Sequence, residues 1–144
     1  MSQAPPSERF LRRTRYAAAV ADDTGIDEAM IALQVRRFYE AARRDPVVGP
    51  IFARVTDWES HLTRITDFWS SVALMSGRYH GNPLESHRAL PIGEEHFARW
   101  LALWRGTALE TCPPPAAARF TLLAERIAAS LSRALGVAAS EGRS

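Results

Sequence analysis

The chain contains no lysine and a single cysteine, Cys112, among its 144 residues. One cysteine excludes an intrachain disulfide and is typical of a protein from a reducing compartment. No basic residue adjoins Cys112 to lower its pKa, so a reactive thiol is not expected. No run approaches the roughly 18 apolar residues of a membrane helix, and no signal peptide is evident. We therefore expect a cytoplasmic protein with no membrane partner.

Several motifs of well-known chemistry are also absent. The sequence has no Gly-rich phosphate loop, no His-Glu-x-x-His zinc motif, no nucleophile elbow and no Cys-x-x-Cys-His motif for covalent haem attachment. The 18 basic residues, all arginine, nearly balance 16 acidic ones and give a net charge of +2. Without a recognition motif, this weak positive charge does not predict a nucleic-acid partner.

Helical periodicity, punctuated by proline and glycine, organises most of the chain. The length suits one domain, and we expect it to occupy residues 25–138, after a flexible extension (1–24) that could hold a short helix and before a disordered tail (139–144). Apolar residues recur at helical spacing over 27–44, 58–75, 94–110 and 115–136. No strand-like alternation of useful length occurs, so the predicted fold class is all-α.

The helix predicted over 58–75 has the clearest pattern. One continuous apolar stripe contains His61 within it, while Ser70 belongs to the predicted solvent side. The members of the stripe are Trp58, His61, Leu62, Ile65, Phe68, Trp69, Val72 and Met75.

A short helix is predicted between this helix and the next. Asn82 is a suitable N-cap, Pro83 suits the first helical position, and Glu85 completes a variant of the capping box. Leu84 and His87 then share one face, and Pro91 and Gly93 end the segment.

Four histidines are the main candidates for chemistry. A buried imidazole needs a partner, because leaving it unpaired costs about 1–3 kcal/mol. A single histidine on an apolar face is more often a hydrogen-bonded core residue than a ligand. Two inward-facing histidines, His61 and His87, on different helices make metal binding more plausible, but the residues alone leave both interpretations open.

A series of short motifs resembles the group III truncated haemoglobins over about residues 27–135. Each motif is weak alone, but together they occur in order and at matching spacing. They are Phe38-Tyr39-Glu40, Gly49-Pro50-Ile51-Phe52, Trp58-x-x-His61, Phe68-Trp69, Pro83-Leu84-x-x-His87-x-x-Leu90-Pro91 and Phe97-x-x-Trp100-Leu101.

The resemblance implies a globin-like, two-over-two helical sandwich around haem b. It implies that His87 is the proximal iron ligand, that Tyr39 and Trp100 are distal hydrogen-bond donors, and that His61 either gates the distal position or binds iron itself. It further implies that Phe52, Ile65, Phe68 and Trp69 line the haem pocket, where we also expect Leu84. The haem propionates need cationic or hydroxyl partners, and Arg54, Arg78 and Tyr79 are the candidates by position. His80 and His96 are expected at the surface.

Two functions remain open at this point. The first is a globin that reversibly binds dioxygen, nitric oxide, carbon monoxide, cyanide or similar ligands at a five-coordinate iron, as a monomer. Nitric oxide dioxygenase or peroxidase-type activity is an open extension that would need an unidentified reductase. The alternative is a haem-free helical interaction protein, in which the arginine-rich segment 12–15 contacts an acidic partner and His61 and His87 are core residues.

Overall fold

The computed structural model describes residues 7–137 of the chain. This range contains helices and no strand, which confirms the predicted all-α class. The helices are α1 (Glu8–Thr24), α2 (Glu28–Ala42), α3 (Gly49–Phe52), α4 (Trp58–Leu74), α5 (Pro83–Arg88), α6 (Glu94–Thr111) and α7 (Pro114–Ala134). None of the helices in the described range is long and apolar enough to cross a membrane.

The four long helices after α1 form two layers. In one layer α2 packs against α4, and in the other α6 packs along α7. The layers meet where α2 crosses α6 and where α4 contacts α7. This is the two-over-two sandwich that the resemblance implied.

Polar side chains fix the starts of three helices. Asp27 accepts a hydrogen bond from the backbone N–H of Met30 at 2.9 Å, and Asp57 accepts one from the N–H of Ser60 at 3.1 Å. Asn82 caps α5 in the predicted way, because its side chain accepts from the N–H of Glu85 at 3.3 Å. Each cap satisfies one of the backbone donors that a helix N-terminus leaves free.

Aromatic side chains join the two layers. The indole rings of Trp69 and Trp104 stack with centroids 4.2 Å apart, and Phe120 contacts both edge to face. The Nε1–H of Trp104 donates to the carbonyl oxygen of Phe120 at 3.1 Å. The buried indole therefore has the partner that its polar atom requires.

Two predicted positions on α4 are wrong. Met75, expected in the apolar stripe, is 43% exposed, because α4 ends at Leu74 and Met75 takes a left-handed conformation at φ 54°. Ser70, expected on the solvent side, is fully buried. Its hydroxyl lies 2.7 Å from Glu28 Oε2 and 2.6 Å from Ser76 Oγ, and these partners make its burial tolerable.

Part of the predicted N-terminal extension is helical, as the sequence analysis left open. Residues 8–24 form α1, which packs against α4 and α7. Tyr16 packs against the core, and its hydroxyl accepts a hydrogen bond from Arg119 Nη2 at 2.6 Å. The division of the chain into segments stays a prediction, and the predicted tail at 139–144 lies outside the described residues.

Candidate functional site: an aromatic cavity between the helices

A cavity of about 890 Å³ opens between the helices. Its volume is within the roughly 300–1,000 Å³ of sites that hold small organic ligands and cofactors. All but one of the residues predicted for the site line it. They are Tyr39, Phe52, Arg54, His61, Ile65, Phe68, Trp69, Arg78, Tyr79, His87 and Trp100.

His87 reaches the cavity from α5. Its Nδ1 atom lies 2.6 Å from the carbonyl oxygen of Pro83, four residues earlier. A carbonyl oxygen can only accept, so Nδ1 carries a proton, and the lone pair that a histidine uses to bind a metal is left to Nε2. A backbone hydrogen bond of this kind orients a histidine and makes its second nitrogen a better metal ligand.

Tyr39 and His61 form the centre of an aromatic cluster on α2, α3 and α4. The ring of Tyr39 meets Phe52, Trp58 and His61 edge to face, with centroids 5.1, 5.7 and 5.2 Å apart. Tyr39 is only 7% exposed, and burial raises the pKa of its hydroxyl. Tyr39 is therefore a protonated hydroxyl group at the cavity wall.

His61 has an unused nitrogen. Its Nε2 atom is buried and has no hydrogen-bond partner. Burial first, and the positive charge of Arg64 second, lower the pKa of His61. A neutral imidazole with an unsatisfied polar atom at an apolar cavity fits a site whose ligand would supply the missing contact.

Trp100 lines the cavity from α6. Its indole ring stacks on Trp104 with centroids 6.1 Å apart and meets Phe38 edge to face at 6.2 Å. Trp104 is almost completely buried, so the wall behind Trp100 is closely packed. The structure thus brings the rings of Tyr39, His61 and Trp100, from three helices, into one cavity.

Charged groups also line the cavity. Arg54, Arg64 and Arg78 contribute positive charges, and Asp57 and Asp67 contribute negative ones. Arg78 Nη2 lies 3.6 Å from Glu28 Oε2, in a pair whose side chains are 57% and 41% exposed. Such an exposed pair is weak, so Arg78 can turn toward an anionic group in the cavity at little cost.

Two predictions for site residues differ from the structure. Leu84, expected in the haem pocket, is half-buried but does not line the cavity. The residues of α5 that line it are Pro83, Ser86 and His87, and Leu84 lies on another side of this short helix. His96, expected at the surface, is half-buried and lines the cavity. Its Nδ1 atom accepts a hydrogen bond from the N–H of Gly93 at 2.8 Å and caps the start of α6. His80 is exposed, as expected, at the cavity wall.

Several lining residues were missed from the sequence. Arg64 lies three positions after His61, so helical spacing could have identified it. Ile127 and Leu131 of α7 also line the cavity. They were assigned to the ordinary core, and no local signal distinguishes a core residue from a cavity residue on that helix.

Cys112 lies at the end of α6 and is 8% exposed. Burial raises the pKa of its thiol. This agrees with the expectation that Cys112 is not a reactive thiol.

Comparisons with known proteins point to one group. No protein-family model matches the chain. A group 3 truncated haemoglobin of Campylobacter jejuni is 36% identical to it, in a match that covers 55% of this chain and 67% of that protein. The crystal structure of a group III truncated haemoglobin from Campylobacter jejuni matches with a TM-score of 0.71 at 31% identity, covering 76% of this chain and 91% of that one.

Proposed function

Because this chain belongs to the group III truncated haemoglobins, we propose that its cavity holds haem b, with His87 as the proximal ligand. The observation that carries this proposal is the 2.6 Å contact between His87 Nδ1 and the carbonyl oxygen of Pro83. It leaves Nε2 as the ring nitrogen available to a metal at a cavity of cofactor size.

When bound, haem would supply a ferrous iron with one coordination position open to a diatomic ligand. The chain's contribution would be to hold the macrocycle, to supply one imidazole, and to surround the ligand with donors in a mostly apolar cavity. Aromatic and aliphatic side chains, among them Phe52, Ile65 and Phe68, provide the apolar contacts. Arg54, Arg78 and Tyr79 are the proposed partners of the propionate groups.

Tyr39 and Trp100 are the proposed donors to the diatomic ligand. Burial keeps the Tyr39 hydroxyl protonated, and an indole N–H can only donate. A ligand such as dioxygen, which takes up negative charge on binding, is stabilised by such donors, and a low dielectric strengthens each bond. We therefore propose reversible binding of dioxygen, nitric oxide, carbon monoxide or cyanide.

His61 has two possible tasks at the same place. As a neutral imidazole, it can stand next to the ligand as a gate, or its unpartnered Nε2 can bind the iron in the unliganded protein. The absorption spectrum of the ferrous, unliganded protein distinguishes a five-coordinate from a six-coordinate iron.

Enzymatic turnover is an open extension of the proposed ligand binding. Nitric oxide dioxygenation and peroxidase-type reactions both consume electrons; turnover would require a reductase in the first case and an oxidisable co-substrate or a reductase in the second. The alternative function, a haem-free interaction protein that uses the arginine-rich segment, is not favoured by the family relation. The cytoplasmic location and the monomeric state stay predictions.

A titration with haem tests the proposal. Adding haem to the purified protein should give a Soret band that saturates at one haem per chain. His87→Ala should weaken binding and change the spectrum of the ferrous form. His80→Ala, which removes an exposed imidazole at the same cavity, is the matched control. Failure of the wild-type chain to saturate would refute the proposal.

A further inference from the structure

Asp45 is a buried carboxylate whose oxygens bind three N–H groups. Its side chain is 2% exposed. Oδ2 accepts hydrogen bonds from the backbone N–H groups of Val47 and Val48 at 2.9 and 3.0 Å. Oδ1 accepts from Nε of Arg99, on α6, at 2.6 Å. The carboxylate therefore joins the turn after α2 to a helix 54 positions further along the chain.

The charge of Asp45 is well supported in this place. Desolvation alone would raise its pKa, but the hydrogen bonds from Val48, Arg99 and Val47, together with the charge of Arg99, outweigh burial and lower it. Arg99 is 47% exposed, so its guanidinium keeps part of its water, whereas the carboxylate loses nearly all. A hydrogen bond between two charged groups is among the stronger polar contacts in proteins.

The turn that Asp45 holds leads directly into one wall of the cavity. The backbone oxygen of Asp45 accepts a hydrogen bond from the N–H of Gly49 at 2.9 Å, and α3 begins at Gly49. Val48, Ile51 and Phe52, in and next to α3, line the cavity. Phe52 also contacts the ring of Tyr39 at 5.1 Å.

The other partner, Arg99, immediately precedes Trp100. Its bond to Asp45 fixes the N-terminal half of α6 relative to the α3 wall. The indole of Trp100 meets Phe38 of α2 edge to face and stacks on Trp104 of its own helix. The ion pair adds a directional contact between α6 and the turn before α3, at the residue next to Trp100.

From this arrangement we infer that Asp45 and Arg99 are a positioning pair, which sets the placement of Trp100 relative to the α3 wall and so its hydrogen bond to the diatomic ligand. The inference rests on the proposed function. Neither residue of the pair touches the ligand itself. Their effect is transmitted through α6 and through the turn before α3.

Nuclear magnetic resonance of the indole N–H groups tests the placement of Trp100 without requiring haem. The Trp100 signal is assigned with Trp100→Phe. In Arg99→Met and in Asp45→Asn it should shift, because both variants break the contact between α3 and α6. Arg99→Lys keeps a cation and should restore part of the wild-type position. Arg105→Met, the same change at an exposed site on the same helix, should leave the signal unmoved.

The rate of oxygen dissociation from the haem-loaded protein tests the functional consequence. Arg99→Met should release oxygen about threefold faster, which is less than the loss of one full hydrogen bond. The double variant should show no more than the larger single effect, because the two residues act as one contact. The C–O stretching band of the carbon monoxide complex should shift in the same variants.

Two results would overturn the inference. One is an unmoved Trp100 signal in both single variants, and the other is a moved signal with an unchanged oxygen dissociation rate and C–O band. If the wild-type chain takes up no haem, the proposed function fails, and the indole signals alone then decide whether the pair places Trp100. Asp45→Asn keeps the side-chain oxygen that caps the turn, so it provides a second folded variant should Arg99→Met unfold.

Discussion

The rings of Tyr39 and His61 meet edge to face at the cavity, with centroids 5.2 Å apart and planes at 84°. Burial raises the pKa of the Tyr39 hydroxyl and lowers the pKa of the His61 imidazole, so it favours the uncharged form of both groups. The pair thus presents an O–H donor and an unpartnered ring nitrogen in an apolar place.

Tyr39→Phe removes the hydroxyl and keeps the ring contacts. A hydrogen bond contributes about 1–1.5 kcal/mol, so oxygen should dissociate about five- to tenfold faster from the loaded variant. Stopped-flow measurement on the ferrous oxygen complex checks this. Tyr16→Phe is a matched control, since the Tyr16 hydroxyl binds Arg119 on α7 and does not line the cavity. An unchanged rate in Tyr39→Phe would count against its role as a donor.

The imidazole of His61 should titrate below the ordinary value of about 6.5 in the haem-free protein. Burial is the larger cause and Arg64 the smaller one. Arg64→Met should therefore move the pKa of His61 upward without restoring the ordinary value. Titration followed by nuclear magnetic resonance of the ring protons measures it, with exposed Arg36→Met as control. A pKa at or above 6.5 in the wild-type protein would contradict the lowering by burial and by Arg64.

Acid should remove the contribution of Asp45 to stability. The pKa of Asp45 in the folded protein is lower than the pKa of an aspartate in an unfolded chain, which is about 3.9. Its charge therefore stabilises the fold fully above the unfolded value, and this contribution is lost as the pH falls through the folded pKa. The free energy of unfolding of the wild type should exceed that of Asp45→Asn at pH 7, and the difference should shrink toward pH 3. Urea denaturation at both values measures it, and a constant difference would contradict the assignment.

Gly49 and Gly106 should respond oppositely to alanine. A Cβ atom at Gly49 would lie 2.9 Å from the backbone oxygen of Arg43, too close for the turn to remain as it is. A Cβ at Gly106, in the middle of α6, would meet nothing within 4 Å. Gly106→Ala should thus stabilise the protein by about 0.5–1 kcal/mol through helix propensity, whereas Gly49→Ala should destabilise it. Thermal unfolding of both variants checks this, and equal effects would contradict the close approach at Gly49.

The sequence predicted what depends on local spacing and missed what depends on distant partners. Helical periodicity and caps placed the helices within a few residues, including α5 with its Asn82 cap. The burial of Ser70 could not be predicted, because its hydroxyl donates a hydrogen bond to Glu28, which lies on another helix. The contact between Asp45 and Arg99 likewise joins residues that no periodic pattern relates. Leu84 was misassigned because the resemblance gave its place along the chain, but not the side of α5 that lines the cavity.

The bond between His87 and iron is the central claim, and resonance Raman spectroscopy of the ferrous, unliganded protein tests it most directly. The wild type should show an iron–imidazole stretching band that shifts with the iron isotope. His87→Gly should lose this band and regain one when free imidazole is added, with the Nε2 of that molecule replacing the lost ligand. A band that persists without added imidazole when His87→Gly is combined with His61→Leu would contradict the assignment of His87 as the proximal ligand.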